Sequence, residues 1–181
     1  MHRSAHRIAA ISLSSLRVEI ARQNEPALAG KPLAIVVAHP GGSVIDEATV
    51  LGNTRLDEVS VEARSLGVHP GMTIAAARAR AANLTVRVVA ERAAALALAR
   101  VAELALAFGA TVGFDAATHV VWADVTGCAH LHLRRSPETE GARHSSNDLH
   151  AGEEILAKNL WERVTKLGHE ARIAIADGPR V

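Results

Sequence analysis

Tyrosine is missing from these 181 residues, and phenylalanine and tryptophan occur only twice each. A core made without rings has to rest on small aliphatic side chains, and few rings remain to stack nucleic-acid bases. A single cysteine, Cys128, excludes an intrachain disulfide and suits a reducing cytoplasm. No run approaches the roughly 20 apolar residues that span a bilayer, and the N-terminus shows no signal-peptide cleavage pattern. The expected location is therefore the cytoplasm, without membrane contact. Excess charge is also lacking: 20 Lys and Arg against 19 Asp and Glu leave +1. That balance gives no global electrostatic case for nucleic acid, so any such contact needs a local arginine cluster.

What is present is a hydrophobic content of 49%, enough for one ordinary domain carrying a small inserted lobe. RIAAISL (7–13) is a short apolar strand, and Ser14-Ser15 after it marks a helix start. LAIVVA (33–38) has the continuous apolar character of a buried strand between Pro32 and Pro40. Ser60 is placed to cap a brief helix over 61–66 that Gly67 ends. A helix follows Pro70-Gly71, then a strand at 86–90. A long helix over 93–108 has Leu96, Val101, Leu104 and Phe108 available for one face. Thr111–Phe114 and His119–Val125 form a hairpin around 115–118, with His119 as a strand residue. The polar stretch 134–150 is an exposed loop. A helix with Glu153 and Glu154 at its positive end and a strand at 171–176 complete the chain.

Setting aside the middle segment, the order is strand, helix, strand, strand, helix, strand. The expected fold class is α+β: a ferredoxin-like βαββαβ domain with a small lobe inserted in its first crossover. Segment boundaries are expected at 1–25, 26–85 and 86–181.

Several stretches together resemble Y-family (translesion) DNA polymerases. PALAGKPLAIVV (26–37) matches the segment that follows the family's first D-x-D strand. VEARSLGVHPGMT (61–73) matches its fingers motif, VWADVTG (121–127) the end of its third motif, and IAIAD (173–177) a late palm strand. The resemblance implies a palm with inserted fingers, thumb and little-finger domains having no counterpart here. Residue by residue, the first metal-binding Asp falls on Ser12, and the second acidic position of D-x-D on Ser14. The third motif's Asp-Glu pair falls on His119 and Val120. The aromatic sugar gate falls on Arg17, the triphosphate-facing Tyr on Val61, and the late Lys near Pro179. Arg64 keeps the family's arginine, and Asp124 matches a position that is not a metal ligand.

Mg²⁺ at an open site requires carboxylates, which hydroxyl, imidazole and isopropyl groups do not replace. DVTGCAHL (124–131), Gly152-Glu153 and IADGP (175–179) resemble most the ImuB-type mutasome subunits, a degenerate branch of the family. That resemblance implies a non-catalytic adaptor in damage-induced mutagenesis, with no metal and no cofactor. It would bind DNA weakly together with a sliding clamp, a RecA-like accessory protein and an error-prone replicative-type polymerase.

Two rival readings stay open. An active polymerase with an atypical site would enlist Asp115 if the hairpin aligns with a gap. A small metal-binding α+β protein would centre on Cys128, His130 and His132, which alternate and so share one face of a strand, with His144 or His150 as a fourth ligand. Against the metal reading, that spacing matches no common zinc pattern, and a lone cysteine after Thr-Gly is more often a small buried hydrophobe. Arg55, Arg64, Arg78 and Arg80 are the candidate phosphate contacts, although Asp57, Glu58 and Glu62 nearby offset part of their field.

Overall fold

The computed structural model describes residues 6–44, 46–132 and 146–178. The strands are β1 (Arg7–Ser12), β2 (Leu33–Ala38), β3 (Glu58–Val59), β4 (Thr85–Ala90), β5 (Thr111–Asp115), β6 (Val120–Asp124) and β7 (Arg172–Asp177). The helices are α1 (Leu16–Asn24), α2 (Val61–Ser65), α3 (Ile74–Arg80), α4 (Glu91–Ala105), α5 (Ala129–His132) and α6 (Ser146–Lys166). The chain divides into two compact units, one of residues 1–14 with 98–181 and one of residues 15–97. The expected segments are cut differently from these units, because α1 and β4 pack within the inserted part.

The first unit holds an antiparallel sheet in the order β5-β6-β1-β7. That is the ferredoxin-like order, with the first and third strands of the unit at the centre. Alternation along β1 sends Ala9 and Ile11 into the core, together with Val121 and Ala123 of β6. Leu98, Val101 and Ala105 of α4 and Leu156, Leu160 and Val164 of α6 supply fully buried side chains to the same unit. Leu96, expected on the buried face of α4, is 63% exposed, and Ala94 and Leu98 hold that stripe instead. A small residue at 94 keeps the helical period of 3.6 with Leu98, Val101 and Ala105, which Leu96 does not.

The second unit is a three-stranded sheet, β3-β2-β4, in which β2 and β4 run parallel. Its helices α2 and α3 bury Ala63, Ile74 and Ala77 with Ala34 and Val36 of β2, while α1 packs on β2 and β4. Covered on both faces, β2 reads as an unbroken apolar run. Ser60 caps α2 as expected, accepting from Ala63 N–H at 3.3 Å, and Gly67 follows in the left-handed region (φ +77°).

Three local expectations are corrected. Ser15 stands at the N-cap of α1 but makes no capping hydrogen bond; the carboxylate of Glu58 accepts from Val18 N–H instead, at 3.1 Å. His119 lies in the turn and not in a strand, with φ +54°. Finally, α6 begins at Ser146, so residues 146–150 of the expected loop are helical and Glu153 is inside the helix, away from its positive end. The rest of that loop, with His144, lies outside the described residues, as does Pro179.

Candidate functional site

In the register of the first sheet, Ser12 is directly opposite Val120 on β6 and Arg172 on β7. Val120 in turn faces Asp115 on β5, so one transverse row reads Asp115, Val120, Ser12, Arg172. Residues opposite one another present side chains to the same face. Two of the positions at which the polymerase motifs place acidic residues are therefore neighbours in space, and they hold a hydroxyl and an isopropyl group. Of the other two such positions, Ser14 lies exposed in the turn after β1, and His119 is 6% exposed with its C=O accepting from Leu13 N–H at 3.0 Å.

Asp115 is the one carboxylate of the row. It is two strands from Ser12, about 10 Å at the usual strand spacing. Both its oxygens are engaged: Oδ2 accepts from the Thr118 hydroxyl at 2.7 Å and Oδ1 from Ala117 N–H at 2.9 Å. Those two bonds, the hydroxyl's first, hold its pKa below the usual carboxylate range. The carboxylate closes the turn. Asp124 does similar work at the other end of β6, accepting from Thr126 N–H at 2.9 Å, and its pKa is lowered chiefly by Thr126. Thr126 Oγ1 then accepts from Arg7 N–H at 2.9 Å, and Gly127 takes φ +72°. The D-V-T-G stretch is thus a clasp between β6 and β1.

Sequence reasoning passed over the strongest ion-pair network in this unit. Arg7 donates twice to Glu153, at 2.7 Å each, and once to Asp177 at 2.8 Å, which holds its guanidinium firmly protonated. Gly152 beside Glu153 lets α6 approach Ala129 of α5, where any Cβ would collide with backbone. A glycine-glutamate pair inside an amphipathic helix was the available signal.

The rest of the open face mixes small and large groups, with Ala10 opposite Trp122 and Ile8 opposite Asp124 in the rows beyond Ser12. Ala174 and Ala176 of β7 are exposed, and the Trp122 ring lies against Gly113, where a Cβ would strike it.

The second unit carries the arginines. Arg55 Nη1 donates to Gly71 C=O at 2.7 Å and Arg80 Nη1 to Gly67 C=O at 3.2 Å. The guanidinium groups of Arg55 and Arg80 thus both reach the turn 66–72, whereas Arg64 bonds to it through its backbone, its C=O accepting from Gly67 N–H at 2.9 Å. Arg78 is two residues from Arg80, about 200° around α3, and lines a cleft beside β4 instead. Arg17 lies 3.8 Å from the buried Glu58, whose pKa burial pushes up. Glu62 of the fingers motif pairs with Arg22 at 2.8 Å.

The alternation of Cys128, His130 and His132 does not form one face, because residues 129–132 are helical. His132 stacks on Phe108 with ring centres 5.8 Å apart, and Arg163 covers that ring at 5.1 Å. Among the described residues no three His, Cys, Asp or Glu side chains converge in a way that would hold a metal.

The sequence profile of the impB/mucB/samB family matches residues 13–181. The chain belongs to that family. Its fold matches Y-family DNA polymerases: an insertion ternary complex of Dbh DNA polymerase (TM-score 0.67, 17% identity) and DinB from Sulfolobus solfataricus (0.62, 17%). A post-insertion binary complex of Dbh gives 0.68 at 18% identity. Each match covers 94% of this chain and 42% of the polymerase, corresponding to its palm and fingers. No curated protein matches the sequence. The family member described here has no helix, among its described residues, long and apolar enough to cross a membrane.

Proposed function

We propose that this family member is a polymerase-like adaptor in DNA damage tolerance, of the ImuB type, with no nucleotidyl transfer of its own. The observation that carries this reading is the pairing of Ser12 with Val120 across β1 and β6. In the fold's chemistry, two divalent cations hold the triphosphate and the attacking hydroxyl between carboxylates. Mg²⁺ does not fit the residues present: it binds oxygen at short, fixed distances, and only the Ser12 hydroxyl and the engaged Asp115 carboxylate are in the row.

DNA is the proposed ligand, held weakly through Arg55 and Arg80 at the turn 66–72 and through Arg64 on the neighbouring α2, since guanidinium groups suit phosphate without reading sequence. Proposed protein partners are an error-prone replicative-type polymerase, a RecA-like accessory protein and a sliding clamp, and the proposed location is the cytoplasm.

Since the chain spans 42% of the polymerases' length, metal binding is a cleaner readout than extension. Titration with Mn²⁺, followed by electron paramagnetic resonance, should show no site in the native chain at submillimolar metal. The double variant Ser12→Asp, Val120→Glu should acquire one. Two Mn²⁺ ions on the native chain, or template-directed primer extension by it, overturns the proposal. Binding to a labelled primer–template should weaken with salt and fall in Arg64→Ala.

A further inference from the structure

We propose that the open face of β5 and β6 binds an arginine-bearing segment of a partner protein, one guanidinium lying on the Trp122 ring between the carboxylates of Asp115 and Asp124. The sheet register brings these groups together. Gly113 pairs with Trp122, and the indole lies across that glycine, where a Cβ would strike the ring. Asp115 is two residues from Gly113 along β5, and Asp124 two residues from Trp122 along β6. Side chains two apart in a strand share a face, about 7 Å from one another. The ring thus has one carboxylate on each side of it along the strands.

Ring and carboxylates are accessible. Trp122 is 40% exposed, Asp115 is exposed, and the Asp124 side chain is 27% exposed. The indole N–H meets no acceptor among the described residues. Both carboxylates are charged at neutral pH, since hydrogen bonds from Thr118 and Thr126 lower their pKa values. Each oxygen of Asp115 accepts one bond within its turn and keeps a lone pair for a further donor. At Asp124 the imidazole of His6 lies 3.5 Å away and is itself 73% exposed, so a stronger cation can displace it. Arg172, the cation of the same face, is three strands from Asp115, about 14 Å at the usual spacing.

These features specify a cation, and a flat one. Indole attracts cations more strongly than the other rings, and a guanidinium stacks on it while its edge still donates to carboxylates. The chain makes such a contact elsewhere, with Arg163 over Phe108 at 5.1 Å. An extended peptide sets alternate side chains about 7 Å apart, the same step as from Asp115 to the ring row and on to Asp124. Arginines at alternate positions therefore fit, and a peptide carbonyl can meet the indole N–H. DNA fits poorly, because carboxylates on both sides of the ring repel phosphate. The site uses none of the arginines proposed for DNA and does not depend on the chemistry at Ser12.

The test is fluorescence titration of a Trp161→Phe chain, in which Trp122 is the remaining indole, with an end-blocked alternating Arg–Ser pentapeptide. Lys–Ser and Glu–Ser counterparts are run beside it. The Arg–Ser peptide should change Trp122 emission saturably, and the Glu–Ser peptide should not bind. The Lys–Ser peptide should bind at least about three-fold more weakly. Followed by ¹⁵N NMR, Trp122→Leu should weaken the Arg–Ser peptide about five-fold or more. Asp115→Asn and Asp124→Asn, which keep an acceptor for their turns, should each weaken it about three-fold. If Asp124→Asn loosens the clasp between β6 and β1, Asp115→Asn and Trp122→Leu decide. No saturable change, unchanged affinity in the variants, or equal affinity for the Lys–Ser or Glu–Ser peptide overturns the proposal. So does a single-stranded DNA oligonucleotide that perturbs Trp122 at lower concentration.

Discussion

At Glu58 two forces oppose each other. Burial disfavours the carboxylate's charge, whereas Val18 N–H and Arg17 favour it, and burial prevails, raising the pKa. Folding thus makes the group hold its proton more tightly. Its contribution favours the native state at acid pH and is lost as pH rises through the folded value. Glu58→Gln keeps the acceptor for Val18 without the charge. It should raise stability at pH 7 by about 1 kcal/mol, roughly 2–4 °C in melting temperature, with the gain gone near pH 4. A loss of stability at pH 7 would show that Arg17 outweighs burial. Arg7 is the opposite case, a cation with three charged hydrogen bonds from β1 to α6 and β7. Replacing it with methionine should cost about 2–3 kcal/mol in urea unfolding, discounted for its partial exposure.

The elements show where local signals suffice and where packing overrides them. Ser60 and Gly67 bracket α2 because capping and a left-handed turn are local requirements that those residues meet. At α1 the same kind of signal misled: Ser15 makes no capping bond, and the N–H it was expected to meet goes to Glu58, 40 residues away from Val18. Likewise CAHLH has strand alternation but folds as helix, where Gly152 lets α6 come against Ala129. Close approach also governs the open face of the first sheet. Gly113→Val should push Trp122 off the sheet and cost about 1–3 kcal/mol. In a Trp161→Phe background, the emission of Trp122 should shift to the red; unchanged emission would mean that the ring does not rest on that glycine.

For the whole molecule, the order strand-helix-strand-strand-helix-strand was enough to specify the first sheet, because the handedness of crossovers leaves few ways to pair four strands even with a lobe inserted in the first connection. A polymerase palm rich in carboxylates repels itself without metal, whereas a row of Asp115, Val120, Ser12 and Arg172 has no such repulsion to relieve. Melting temperature should therefore not respond to millimolar Mg²⁺. A rise, by linkage of binding to folding, would place a cation on this chain.

Sequence by itself determined the α+β class, the inserted lobe and the identity of the side chains at the motif positions, since period, turn residues and spacing are properties of the chain. Tertiary structure alone decided that Ser12 meets Val120, that Asp115 is engaged in its own turn, and that Arg78 parts from Arg80. Each of these depends on register or on a contact between distant segments. Strand pairing and helix rotation settle such contacts only when the whole core closes.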